Sequence, residues 1–239
     1  MLQTYFGRVT MEFKGDKNVV TAADRASEAM IKARLAEERP DDGLLAEEGT
    51  HVVPRNKRLW VVDPLDGTNN FAHGFWVYCI SIALVENDRV VLGVVHAPEL
   101  KQTFQAAPEG GAKLNGEAIQ VSRIDRLERA ICATGFPYDK RTRARNNLAE
   151  SARVTLEVQG VRRVGAAALD LCWVAAGRWD GYWELTLNPW DVAAGTLICR
   201  EAGGTVTGID GQPYDIYQPA IVATNGLLHN ELIALLNKA

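Results

Sequence analysis

The stretch Trp60-Val61-Val62-Asp63-Pro64-Leu65-Asp66-Gly67-Thr68-Asn69-Asn70-Phe71 constrains this chain more than any other. An apolar run of strand character delivers two carboxylates three residues apart, then a Gly-Thr step able to open a helix. Taken alone, Asp63-Pro64-Leu65-Asp66-Gly67 is also a good β-turn, with proline at its second position and glycine close behind. On those five residues a plain turn is at least as compatible as a chemical site. Electrostatics shifts the balance. Two carboxylates about 4 Å apart at an effective dielectric near 20 repel by roughly 4 kcal/mol. At the mouth of a strand they need a cation, a shared proton or free access to water. Oxygen-only ligands suit hard ions such as Mg²⁺ or Ca²⁺ rather than zinc. The backbone N–H groups of Gly67 and Thr68 favour a phosphate. Cation ligands beside an anion cradle make an arrangement suited to phosphoryl transfer.

Two further segments supply acid at the ends of elements. Glu47-Glu48 follows the short apolar strand expected over 44–46. Asp191 stands in Asn188-Pro189-Trp190-Asp191-Val192-Ala193-Ala194-Gly195, where a helix should begin. Each alone has a blander reading: Glu47 as a solvated surface acid, Asp191 as a first-turn helix acid. Elsewhere the pattern predicts a helix over 21–39, boxed by Thr21 and Asp24, striped by Ala26, Met30 and Ala33, and ended by Pro40. Strands are expected at 59–62, ending at Asp63-Pro64, and at 78–86 and 90–96, turned at Asn87-Asp88. Asn115-Gly116 signals a hairpin. In the second half, helical patterns near 143–157, 169–176, 192–202 and 227–236 alternate with strands near 161–164, 181–185, 205–207 and 220–223. The alternation predicts an α/β half, 129–239, after a more antiparallel α+β half, 1–128, with a soft boundary near Leu127–Ala130.

Composition narrows the function. The 239 residues carry a formal net charge of −4, which argues against a general nucleic-acid binder. Cys79, Cys132, Cys172 and Cys199 are widely spaced, form no CxxC pair and read as small buried hydrophobes of a reducing compartment. No secretory signal or apolar run long enough for a membrane helix is evident, so a cytoplasmic protein without membrane partners is expected. His51, His73, His96 and His229 lack metal-ligand spacing, and no GxSxG elbow is present.

Taken together, these segments resemble the inositol monophosphatase family of lithium-sensitive, magnesium-dependent phosphatases. The residues that carry the resemblance are Trp60 through Phe71, Trp190-Asp191 leading to Glu201-Ala202-Gly203-Gly204, Glu47-Glu48, Gly165-Ala166-Ala167-Ala168 and Trp183-Glu184, all in the family's order. The resemblance implies a layered α/β/α/β/α sandwich and an enzyme that hydrolyses inositol 1-phosphate. It implies two to three Mg²⁺: Glu47, Asp63 and the Leu65 carbonyl hold the first, and Asp63, Asp66 and Asp191 the second. Thr68 and Glu47 would orient the attacking water, while Gly67 and Thr68 N–H groups hold the phosphate. Asp66, Ala167 and Glu184 would meet the inositol hydroxyls, and Lys14 and Asp24 would belong to a segment that closes near the site. A homodimer is also implied.

Departures and rivals are equally specific. Only thirteen residues precede Lys14, fewer than in relatives, and Ala166 stands where they often have Ser or Thr. An aspartyl-phosphate phosphatase would place its aspartates two apart rather than three. A non-catalytic binding protein of the same fold would lose ligands, and all are present. Among substrates, fructose 1,6-bisphosphate would need a cationic grip from Arg162, Arg163, Lys140 or Arg141, and histidinol phosphate an acid such as Glu184. A nucleotide such as 3′-phosphoadenosine 5′-phosphate would want an aromatic stacking face, which the sequence does not locate.

Overall fold

The computed structural model describes residues 1–13 and 19–238. A short helix α1 (Leu2–Tyr5) and the ladder of β1 (Glu12–Phe13) with β2 (Val19–Val20) precede the long helix α2 (Ala22–Glu38). Then follow β3 (Gly43–Ala46), β4 (His51–Val52), β5 (Arg58–Asp66), the single-turn helix α3 (Thr68–Ala72), β6 (Cys79–Glu86), β7 (Arg89–Ala97), β8 (Gln102–Ala106), β9 (Ala112–Leu114) and β10 (Glu117–Ile119). The second half contains β11 (Ile131–Thr134), α4 (Leu148–Glu157), β12 (Gly160–Arg162), α5 (Ala167–Ala175) and β13 (Gly181–Glu184). It ends with α6 (Pro189–Glu201), β14 (Thr205–Thr207), β15 (Ile221–Thr224) and α7 (His229–Leu236).

Eight strands form one sheet in the order β10-β9-β8-β7-β6-β5-β3-β4, antiparallel except where β3 runs parallel to β5. Five form a second, β12-β11-β13-β15-β14, which begins parallel and finishes antiparallel. Helix α2 lies on one face of the larger sheet, and α5 and α6 fill the space between the sheets. Helices α4 and α7 pack together on the smaller sheet. This is the expected α/β/α/β/α layering.

Small residues make the middle layer thin. A Cβ on Gly93 of β7 would meet the Ala194 carbonyl oxygen at 2.8 Å, so α6 rests its backbone directly on the sheet. Gly195 plays the same part toward Leu171 of α5. Around that contact Val95, Phe104, Leu169, Leu171, Ile198 and Tyr182 are fully buried.

Several expectations need correction. Strand β5 does not stop at Asp63-Pro64 but continues to Asp66 with a register shift between the two aspartates. Proline has no N–H to donate, and a bulge is where a sheet tolerates that. The expected stripe of α2 is also wrong: Met30 is 55% exposed, and the buried face carries Ala23, Asp24, Ser27 and Glu28. Its polar groups are all used. Ser27 donates to the Pro64 carbonyl at 2.9 Å, and Glu28 accepts from the Glu48 and Thr50 N–H groups and the Thr50 hydroxyl. Helix α4 starts at Leu148, not 143, because Asn147 takes a left-handed conformation with φ at 69°. There its buried amide donates to Thr134 Oγ1 and the Gly135 carbonyl, and accepts from Trp183 Nε1. Strands β8 and β11 were not anticipated; they are short and defined by their neighbours.

Candidate active site

The bulge in β5 turns its end into a ligand platform. Asp63 is 2% exposed, and its Oδ1 accepts from the Leu65 N–H at 2.9 Å. Asp66 Oδ2 accepts from the Ala168 N–H at 2.8 Å and from the Cys79 thiol at 3.6 Å. Asp191 Oδ2 accepts from the Asn188 N–H at 2.7 Å as half of a capping box on α6. Each aspartate is thus anchored through one oxygen, and no hydrogen bond to a described residue occupies the other. Gly67 follows with φ at 89°, and a Cβ there would come within 3.0 Å of the Val77 carbonyl. That close approach and the left-handed backbone call for glycine at this position.

One cavity of about 210 Å³ collects the sequence-derived residues: Glu47, Asp63, Leu65, Asp66, Gly67, Thr68, Ala167, Glu184 and Asp191 all line it. They come from β5, α3, α5, β13 and α6, from the turn after β3 (Glu47) and from the β5–α3 junction (Gly67), so both halves of the chain contribute. Lys14 lies outside the described residues. Asp24 reaches the same place: the Thr68 hydroxyl lies 2.9 Å from Asp24 Oδ1 and 3.0 Å from the Leu65 carbonyl. Asp24 is itself held by the N–H and hydroxyl of Thr21. Of the four cations considered for a second phosphate, only Arg163 lines the cavity.

Sequence reasoning missed the segment Gly135-Phe136-Pro137-Tyr138, which forms part of the wall. It leaves the carboxyl end of β11, a strand with no clear signature of its own. It also read Cys79 as a plain core hydrophobe. All four cysteines are indeed buried thiols, but the one on Cys79 touches a cavity carboxylate.

Burial governs the electrostatics, and crowding of acid reinforces it. Burial pushes the Asp63 carboxyl well above the usual range, helped by the charges of Glu47, Asp66 and Asp191. Burial likewise carries Asp66 up to about 7, against the Ala168 hydrogen bond and with the Glu47 charge. Asp191 moves the same way, chiefly by burial, with Asp66 and Glu47 adding to it. Glu184 is raised by burial to about 7, offset by the Tyr182 hydroxyl and Arg163. Tyr138 is pushed by burial, then by Glu47 and Asp66, to about 12. A cavity that resists negative charge this strongly favours a cation.

Among the described residues, no three His, Cys, Asp or Glu side chains close into a ready-made metal cage. The carboxylates instead stand around a shared space, each aspartate already oriented by a backbone N–H. Such a set, all oxygen and all anionic, fits a hard divalent ion. With the Gly67 and Thr68 N–H groups alongside, the arrangement can hold cations and an anion together.

Comparison with known proteins agrees with this chemistry. The sequence model described as the inositol monophosphatase family matches residues 1–239. An inositol-1-monophosphatase from Synechocystis sp. is 47% identical over 90% of this chain and 75% of its own length. A fructose-1,6-bisphosphatase/inositol-1-monophosphatase from Thermotoga maritima is 39% identical over 100% of this chain and 91% of its own. The solved structure of inositol monophosphatase from Anabaena (Nostoc) sp. superposes with a TM-score of 0.87 at 44% identity, over 90% of this chain and 86% of that one.

Proposed function

Because this chain belongs to the inositol monophosphatase family and is therefore a phosphatase, we propose that it hydrolyses inositol 1-phosphate, with Mg²⁺ bound by its cavity carboxylates. The single observation that carries the reading is the convergence of Glu47, Asp63, Asp66 and Asp191 on one cavity with Gly67 and Thr68. The family is metal-dependent. Glu47, Asp63 and the Leu65 carbonyl would hold one ion, Asp63, Asp66 and Asp191 a second, and residues near Glu47 a weaker third. Ions held there would supply Lewis-acid chemistry, lowering the pKa of water and offsetting charge on the phosphate ester.

The chain's own residues do the rest. Gly67 and Thr68 point backbone N–H groups at the phosphate, where their fixed dipoles offset its charge. The Thr68 hydroxyl has one proton to give, and Asp24 Oδ1 and the Leu65 carbonyl both lie within reach of it. Its oxygen lone pairs are left to accept from the attacking water, which Glu47 also orients. Asp66, fixed by the Ala168 N–H, stands between the phosphate and the polyol. Glu184, fixed by the Tyr182 hydroxyl at 2.7 Å, accepts from hydroxyls of the leaving polyol, and Ala167 contributes its backbone.

The test is phosphate release from inositol 1-phosphate with Mg²⁺ and with chelator, beside a kcat/KM panel of inositol, sugar, histidinol and nucleotide phosphates. Magnesium-dependent turnover, best on inositol 1-phosphate, is expected; metal-independent release or a trapped phospho-Asp63 would overturn the reading. The same reading carries lithium inhibition, a cytoplasmic site of action and a homodimer. No helix among the described residues is long and apolar enough to cross a membrane.

A further inference from the structure

One hydrogen-bond donor in the cavity wall has its proton unspent. Tyr138 lines the cavity with its side chain half-exposed. Among the described residues its hydroxyl meets only Asn69 Nδ2, and that long contact of 3.5 Å brings it a donor, not an acceptor. The phenolic proton is therefore left for whatever enters the cavity. The Thr68 hydroxyl, by contrast, already has the Asp24 carboxylate and the Leu65 carbonyl to donate to. Burial first, then the charges of Glu47, Asp66 and Asp191, push the Tyr138 hydroxyl up to about 12, so it stays a neutral donor near neutral pH.

The chain holds this residue in place from both sides. Where the segment leaves β11, Asn147 Nδ2 donates to the Gly135 carbonyl at 2.6 Å. Pro137, whose ring sets φ, opens a tight turn in which the Lys140 N–H donates to the Pro137 carbonyl at 3.2 Å. Tyr138 is the second residue of that turn. Asn69 directly follows Thr68 in α3, so the contact with its amide sets the phenol beside the Gly67 and Thr68 backbone donors. Donors from the β5–α3 junction and from the exit of β11 thus border the same cavity.

We propose that Tyr138 is a further catalytic residue, whose hydroxyl donates to a non-bridging oxygen of the scissile phosphate and completes from a second wall the cradle begun by Gly67 and Thr68. This rests on the phosphatase reading above and adds a transition-state donor to it. In phosphoryl transfer negative charge spreads over the equatorial oxygens, and a donor already in position meets that charge without reorganising. A neutral phenol also suits an acidic cavity, because it forms no ion pair with carboxylates that are needed for cations.

The test is Tyr138→Phe, which keeps the ring and removes only the oxygen. Kinetics with Mg²⁺ are compared on inositol 1-phosphate and p-nitrophenyl phosphate, which share the phosphate and differ in the leaving group. A hydrogen bond to a charged group is worth roughly 10- to 150-fold. We expect kcat/KM to fall by about that factor on both esters, chiefly in kcat. Inorganic phosphate, the product, should inhibit the variant less than it inhibits the wild type. The loss should be constant from about pH 6 to 9, because the phenol is protonated throughout. The melting temperature should not change, since the hydroxyl gives its proton to no described residue. Wild-type turnover in the variant, a loss confined to inositol 1-phosphate, undiminished inhibition by phosphate, or a loss that tracks a lowered melting temperature would each overturn the proposal while leaving the phosphatase reading intact. A wild type inactive on both esters would sink the two together.

Discussion

Asp191 has two duties at once. Its Oδ2 accepts the Asn188 N–H in the capping box that starts α6, while the residue also lines the acidic cavity. The helix-start reading and the ligand reading suggested by sequence are therefore not alternatives. Asp191→Asn keeps an oxygen for the cap and removes the charge, so folding should survive. We expect kcat/KM on inositol 1-phosphate to fall on the order of 10²–10³-fold, the scale of losing one charge-stabilising group, and similarly for Glu47→Gln. A circular-dichroism melt checks the fold; unchanged turnover in both variants would refute the ligand assignment. The raised carboxyls give a second expectation. Asp66 rises from an ordinary value of 3.8 to about 7, and Asp63 and Asp191 move the same way. A group whose folded pKa is raised contributes stability that is present below the unfolded pKa and lost as pH climbs through the folded one. The metal-free protein should therefore melt at lower temperature as pH rises from about 4 to 7. A Tm in chelator that is flat or rising across that window would contradict it.

Elements matter here through how closely they approach. Helix α6 brings Asp191 to the cavity only because Gly93 lets its backbone lie on β7. Gly93→Ala places a methyl against a carbonyl oxygen that cannot swing away, unlike the end of a side chain. Overpacking of that kind costs about 1–3 kcal/mol, and we expect that loss in urea unfolding together with lower activity as Asp191 shifts. Full activity with unchanged stability would mean that the helix has slack that the geometry denies. Helix α2 makes the opposite point. Its stripe could not be read from apolar spacing because its buried face is built from Asp24, Ser27 and Glu28, each satisfied by a partner 20 to 44 residues away. Periodicity detects apolar burial and is blind to buried polar faces.

Across the whole molecule, the cavity draws on both sheets and on the helices between them. We propose that the segments 1–128 and 129–239 fold as one catalytic unit, which predicts a single unfolding transition; two resolved transitions would count against it. Magnesium should bind the native carboxylates and not the unfolded chain, so about 100 times its Kd should add about 2.7 kcal/mol. At one fixed Mg²⁺ concentration the gain should be larger at pH 8 than at pH 6, because protons compete for the same oxygens and raise the apparent Kd. Calorimetric melts at the two pH values decide it.

What the chain alone determined was local and chemical. Asp63-Pro64-Leu65-Asp66-Gly67-Thr68 fixes two carboxylates, a proline that cannot donate to the ladder and a glycine free to take positive φ, each from covalent geometry within six residues, whereas the bulge that carries β5 on to Asp66 showed only in the sheet. The paired turns at Asn87-Asp88 and Asn115-Gly116, all four residues at positive φ, were legible for the same reason. What only the tertiary structure decided was convergence: Glu47, Glu184, Asp191, Arg163 and the 135–138 wall meet across sequence distances that no local rule spans. It also decided which polar faces are buried, since a buried Asp or Asn is tolerated only when distant partners satisfy it.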